Sequence, residues 1–91
     1  SMGLEYFAND KYRTLECMAE RQISVKGSTV IKLTQQEIAD LLQFSKVKVN
    51  SIIAELKSDG YITQQSLRGK YSLTDNARAA LVNMQNEGIG Q

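Results

Sequence analysis

Enzymes need groups that move protons, attack a carbon or phosphorus centre, or hold a metal, and this 91-residue sequence supplies few of them. It has no histidine and a single cysteine, Cys17. Histidine-based triads and the common histidine metal sites therefore cannot form, and one thiol cannot build a thiolate cluster. No phosphate-binding glycine loop occurs. Asp59 and Asp75 stand where a turn and a first helical turn use an acid. No catalysis, cofactor or metal is expected. Cys17 reads as a buried thiol of a reduced compartment rather than a redox sensor.

What remains is the chemistry of cations. The formal net charge is only +1. Residues 1–40 and residues 72–91 are each slightly acidic. Residues 41–71 carry Lys46, Lys48, Lys57, Arg68 and Lys70 against Glu55 and Asp59. A positive excess confined to one third of the chain points to an anionic partner of that segment.

The elements that position these cations follow from periodicity and capping. Residues 4–21 show apolar residues at helical spacing: Ala8, Tyr12, Leu15 and Ala19. Gly27-Ser28-Thr29 reads as a turn, and Val30, Ile31 and Leu33 as a short strand. Thr34 followed by Glu37 has the spacing of a capping box, with Leu33 placed to staple onto Ile38. The helix this starts is short, because the pattern breaks at Gln43-Phe44-Ser45. Ser45 caps a new helix with Val49, Ile52, Ile53 and Leu56 on one stripe, and Gly60 ends it. Tyr61-Ile62 and Tyr71-Ser72-Leu73 flank the Arg68-Gly69-Lys70 turn and predict a hairpin. Tyr61 and Tyr71 read as packing residues. Thr74 caps a last helix bearing Ala77, Ala80, Leu81 and Met84, and residues 86–91 read as a flexible tail.

Two short helices across a three-residue break make a helix-turn-helix. Its second helix buries Val49, Ile52, Ile53 and Leu56. Lys46, Val47, Lys48, Asn50, Ser51, Ala54 and Lys57 then face solvent or the flanks. A positive helix of this kind fits a major groove about 12 Å wide. Ordinary solvated surface is the other reading of Lys46, Lys48 and Asn50.

The run "LTQQEIADLLQFSKVKVNSIIAELKSDGYI", followed by "RGKYSLTDNARAAL", resembles the winged helix-turn-helix family of DNA-binding proteins. The "YSLTDNARAAL" junction is similar to that of multiple-antibiotic-resistance-type bacterial regulators, and winged plasmid replication proteins share the first run. The resemblance covers roughly residues 11–84. It implies an α+β fold: a three-helix core, a small antiparallel sheet with a wing, and a C-terminal helix. It also implies double-stranded DNA as partner. Lys46, Val47, Lys48, Asn50, Ser51 and Lys57 would lie on the recognition helix, and Arg68 and Lys70 on the wing. Two departures stand out. Gln43 replaces the usual turn glycine, and the recognition helix has no arginine.

A single domain over residues 4–85 is expected, with Ser1-Met2-Gly3 read as a cloning remnant. No apolar run reaches membrane-spanning length and no signal-like segment is present, so a cytoplasmic protein is expected, and the resemblance implies a bacterial one. Transcriptional regulation leads among the roles. Plasmid replication, partition or conjugative transfer is the alternative, and a winged protein-interaction module without DNA binding is another. A homodimer through the first and last helices is expected, using Leu4, Tyr6, Phe7, Tyr12, Leu81, Val82 and Met84.

Overall fold

The computed structural model describes the backbone of residues 3–89 and the side chains of residues 9–86. Its elements are α1 (Gly3–Glu20), β1 (Gln22–Val25), β2 (Ser28–Lys32), α2 (Gln35–Leu42), α3 (Lys46–Ser58), β3 (Ile62–Ser66), β4 (Lys70–Leu73) and α4 (Asp75–Ile89). All strands pair antiparallel in the order β1-β2-β4-β3. The fold is the winged helix-turn-helix that the sequence implied.

The capping residues act as their spacing suggests. Thr34 Oγ1 accepts the Glu37 amide at 3.1 Å, and Glu37 Oε1 accepts the Thr34 amide at 2.9 Å. Ser45 Oγ accepts the Lys48 amide at 3.0 Å, which starts α3. Thr74 Oγ1 accepts the Ala77 amide at 3.2 Å and donates to the Gly60 carbonyl at 2.6 Å. This last pair ties the start of α4 to the end of α3.

The core lies where α1, α2 and α3 meet the inner face of the sheet. Met18, Ile31, Ile38, Ile52 and Tyr71 are fully buried there, and Ala39 of α2 is buried with them. Burying each large aliphatic side chain stabilises the fold by roughly 1.5–3 kcal/mol. That apolar stripe, more than helical propensity, holds the eight-residue α2.

Two features differ from the sequence reading. The first is β1, which the sequence did not announce. Lys26 and Gly27 both have positive φ, 52° and 81°, and close a two-residue hairpin turn between β1 and β2. A lysine in the left-handed region gives little turn signal. As an edge strand β1 has no fully buried position, so its apolar alternation is weak. The second is α4, which continues to Ile89, past the expected boundary at residue 85. Gln85 and Glu87 are good helix formers and no proline intervenes. The expected interface residues Leu4, Tyr6 and Phe7 lie outside the described side chains.

Gln43 adopts φ 61° and ψ 37°, the left-handed conformation that glycine would take at lowest cost. Its side-chain amide donates to the Asp40 carbonyl at 3.1 Å, a bond glycine would lack. The Phe44 amide donates to the Ala39 carbonyl at 3.0 Å and closes the turn.

Candidate nucleic-acid interface

With Val49, Ile52, Ile53 and Leu56 buried, the rest of α3 divides into three strips. At about 100° per residue, Val47, Ser51 and Ala54 lie opposite the core. Lys46, Asn50 and Lys57 lie on the flank toward the wing, and Lys48 and Glu55 on the flank toward α1. Side-chain contacts agree with this geometry. Lys57 Nζ donates to Gln64 Oε1 on β3 at 2.7 Å, while Glu55 pairs with Lys11 of α1 at 3.3 Å.

The outer strip is open. Val47 is 78% exposed, and Asn50 and Ser51 are also exposed. Between α3 and the wing runs an open cleft of about 390 Å³, lined among others by Gln35, Lys46, Asn50, Leu67 and Arg68. Leu67 at the wing tip is 97% exposed. A neighbouring depression brings Lys32, Arg68 and Lys70 together beside the N-cap of α2.

The wing is held firmly. The Leu33 amide donates to the Gly69 carbonyl at 3.1 Å. Gly69 has φ 84°, and a Cβ there would run into the Leu33 carbonyl and Thr34 Cα. Only glycine lets the wing approach the entry to α2 this closely. The position of Arg68 and Lys70 beside α2 depends on that contact.

The sheet adds a cation that the sequence did not flag. Lys32 on β2 stands directly opposite Lys70 on β4. Directly opposed like charges destabilise an antiparallel ladder unless an anion neutralises them. The pairing links residues 38 positions apart, so no local pattern could reveal it. Leu67 was also missed; its only local sign is an apolar residue in an otherwise polar turn.

The cations fall into two groups. Lys11, Arg13, Arg21, Lys48 and Arg78 each sit within ion-pair distance of a carboxylate. Among the described residues, Lys26, Lys32, Lys46, Lys57, Arg68 and Lys70 form no ion pair. Lys32, Lys46, Arg68 and Lys70 line the cleft or the adjoining depression, Lys57 bonds Gln64, and Lys26 lies in the β1–β2 turn.

Of the expected residues, the structure thus brings Lys46, Asn50, Arg68 and Lys70 to one region, with Val47 and Ser51 on the adjoining outer strip. Lys57 is engaged by Gln64 at the sheet. Lys48 is half-buried and turned to α1, where its Nζ meets Asp10 Oδ2 at 2.5 Å. Phe44, in the turn between α2 and α3, packs half-buried against the core. No helix among the described residues is long and apolar enough to cross a membrane.

Comparison with known proteins places this geometry. Among solved structures, the reduced Fe(II) CO-sensing protein of R. rubrum superposes with a TM-score of 0.74 at 25% identity, over 82% of this chain and 37% of that one. A CRP/FNR-family transcriptional regulator of Thermus thermophilus gives 0.63 at 27% identity, over 78% of this chain and 39% of that one. TubR of Bacillus thuringiensis serovar israelensis, solved bound to 24 bp of tubC, gives 0.60 at 25% identity, over 92% of this chain and 88% of that one. The chain thus spans under two-fifths of the first two proteins and most of TubR. A comparison with curated proteins finds no match. The likeness of the "YSLTDNARAAL" junction to antibiotic-resistance-type regulators goes no further than the shared winged fold. A family model, the Crp-like helix-turn-helix domain, matches residues 12–88, and the chain belongs to that family.

Proposed function

We propose that the chain binds double-stranded DNA, with α3 in the major groove and the wing on the backbone or minor groove, and that it regulates transcription in the bacterial cytoplasm. One observation carries the reading: four of the six cations without an ion pair among the described residues, Lys32, Lys46, Arg68 and Lys70, gather around the cleft between recognition helix and wing. The relatives support it, since one is a transcriptional regulator and another is seen on DNA. The protein acts as a binding module, without catalysis. In this reading Lys46, Lys32, Arg68 and Lys70 meet phosphates, and Val47, Asn50 and Ser51 face base edges. Lys57 contributes from the end of the helix.

A single module covers too little DNA for tight specific binding, so the chain acts as a dimer reading two half-sites. The second copy is expected on the side of α1 and α4. There an open groove is lined by Tyr12, Leu15, Leu56, Tyr61, Ala80 and Met84; the exposed Val82 lies on the opposite side of α4 from Ala80 and Met84.

The likeness to TubR supports a second reading, a plasmid partition or replication protein using the same surface. Selection from a genomic and plasmid fragment pool, followed by sequencing, tests both. Isolated palindromes upstream of genes support the regulator, and clustered repeats on a plasmid support the second reading. Binding that does not weaken with salt, or no enrichment at low salt, would overturn DNA binding. Four phosphate contacts per chain correspond to a log–log salt slope of about −3.6.

A further inference from the structure

Lys48 occupies the third position of the recognition helix, yet its charge is spent inside the protein. Its Nζ meets Asp10 Oδ2 at 2.5 Å and lies 4.4 Å from the centre of the Phe44 ring. Asp10 is only 3% exposed. Arg13 approaches the same carboxylate at 3.9 Å and the same ring at 5.1 Å. A carboxylate so deeply placed needs a cation, because an uncompensated buried charge is costly. The phenyl face adds a second attraction for the ammonium. The Thr14 hydroxyl donates to the Asp10 carbonyl at 2.8 Å and steadies that turn of α1. Asp10, Phe44 and Lys48 therefore join α1, the helix-turn-helix break and the first turn of α3.

From this arrangement we infer that Asp10 is a specificity-determining residue: it withholds Lys48 from the DNA backbone and leaves the outer strip of α3 to Val47, Asn50 and Ser51. The inference rests on the DNA-binding reading above. A free lysine at the start of the recognition helix would grip phosphate on any sequence, since such contacts carry no sequence information. Pairing it with Asp10 lowers sequence-independent affinity while fixing the first turn of α3 against α1. Asp10 touches no DNA in this account and acts through Lys48.

The test compares the salt dependence of binding to random-sequence duplex for the whole chain and for two variants. Circular dichroism first establishes that each is folded. Asp10→Asn weakens the hold on Lys48. It is expected to steepen the log–log slope by about 0.9, so that raising salt from 50 to 200 mM costs it about 3.5-fold more affinity than wild type. Asp10→Asn/Lys48→Met removes both charges, preserves net charge and keeps an apolar chain over Phe44. Its slope should equal that of wild type. A slope in the double variant lower than wild type by about 0.9 would show Lys48 already on phosphate and overturn the inference. So would an Asp10→Asn gain that survives in the double variant, since it would then reflect bulk charge alone. An unchanged slope in a folded Asp10→Asn also overturns it. Should Asp10→Asn not fold, the double variant decides by itself. Failure of the DNA-binding reading is distinguishable, because the wild type would then show no salt-dependent binding at all.

Discussion

Gly27 and Gly69 have nearly the same φ, 81° and 84°, and opposite surroundings. A Cβ on Gly27 would meet nothing within 4 Å. A Cβ on Gly69 would strike the Leu33 carbonyl and Thr34 Cα, which are backbone and cannot rotate away. Replacing each by alanine therefore separates conformational strain from collision. Both variants incur about 1–2 kcal/mol for placing a side chain in the left-handed region. Both recover about 0.4–1 kcal/mol from a less flexible unfolded chain. Gly27→Ala should then cost about 1 kcal/mol. Gly69→Ala adds a forced backbone shift of about 1–3 kcal/mol. It also endangers the Leu33 to Gly69 hydrogen bond of 3.1 Å, a bond of this kind contributing about 0.5–1.5 kcal/mol. A total near 3 kcal/mol follows, about 2 more than for Gly27→Ala. Urea denaturation with linear extrapolation measures both. In thermal melts the gap should appear as about 8–16 °C, at about 4–8 °C per kcal/mol for a domain of this size. Gly69→Ala should also displace Arg68 and Lys70 and flatten the salt slope of DNA binding by about 1.8. Equal destabilisation of the two variants, or an unchanged salt slope in Gly69→Ala, would refute the account of how the wing is held.

Lys32→Ala should weaken binding to all duplexes alike and lower the salt slope by about 0.9, as measured by fluorescence anisotropy, while leaving stability equal or slightly raised because the opposed Lys70 is relieved. Asn50→Ala should change the sequence motif recovered by binding-site selection, as loss of a base contact does; an identical motif would remove Asn50 from base readout. Gln43→Val should cost about 1–3 kcal/mol in urea denaturation, since a β-branched side chain is strained at positive φ and the bond to the Asp40 carbonyl is lost. Stability should also decline at alkaline pH. Burial raises the Cys17 thiol above its ordinary 9.0, and the Asp59 and Glu55 carboxylates raise Lys11 above its ordinary 10.5. In both cases the folded chain holds the proton longer than the unfolded one, so their contribution is full below about pH 9 and is lost as pH rises through the raised values. Denaturation at pH 8 and pH 10.5 checks it.

The sequence by itself determined the helix-turn-helix, because its signals are local. Thr34 and Glu37, Ser45, Gly60 and Thr74 mark helix ends within one turn of the groups they bond. The apolar stripe of α3 fixed which side faces the core, and so which residues are exposed. The wing glycine was visible beside two basic residues. Tertiary structure decided what those exposed side chains do. Lys46 and Lys48 are two positions apart and chemically alike, yet a helix turns about 200° over that distance. That rotation sends Lys46 to the cleft and Lys48 to a buried carboxylate on another helix. Lys57 is likewise taken up by Gln64, and Lys32 becomes a partner of Lys70 only once β2 and β4 pair. The partners of a charge depend on contacts between segments distant in the chain, and no local pattern encodes them.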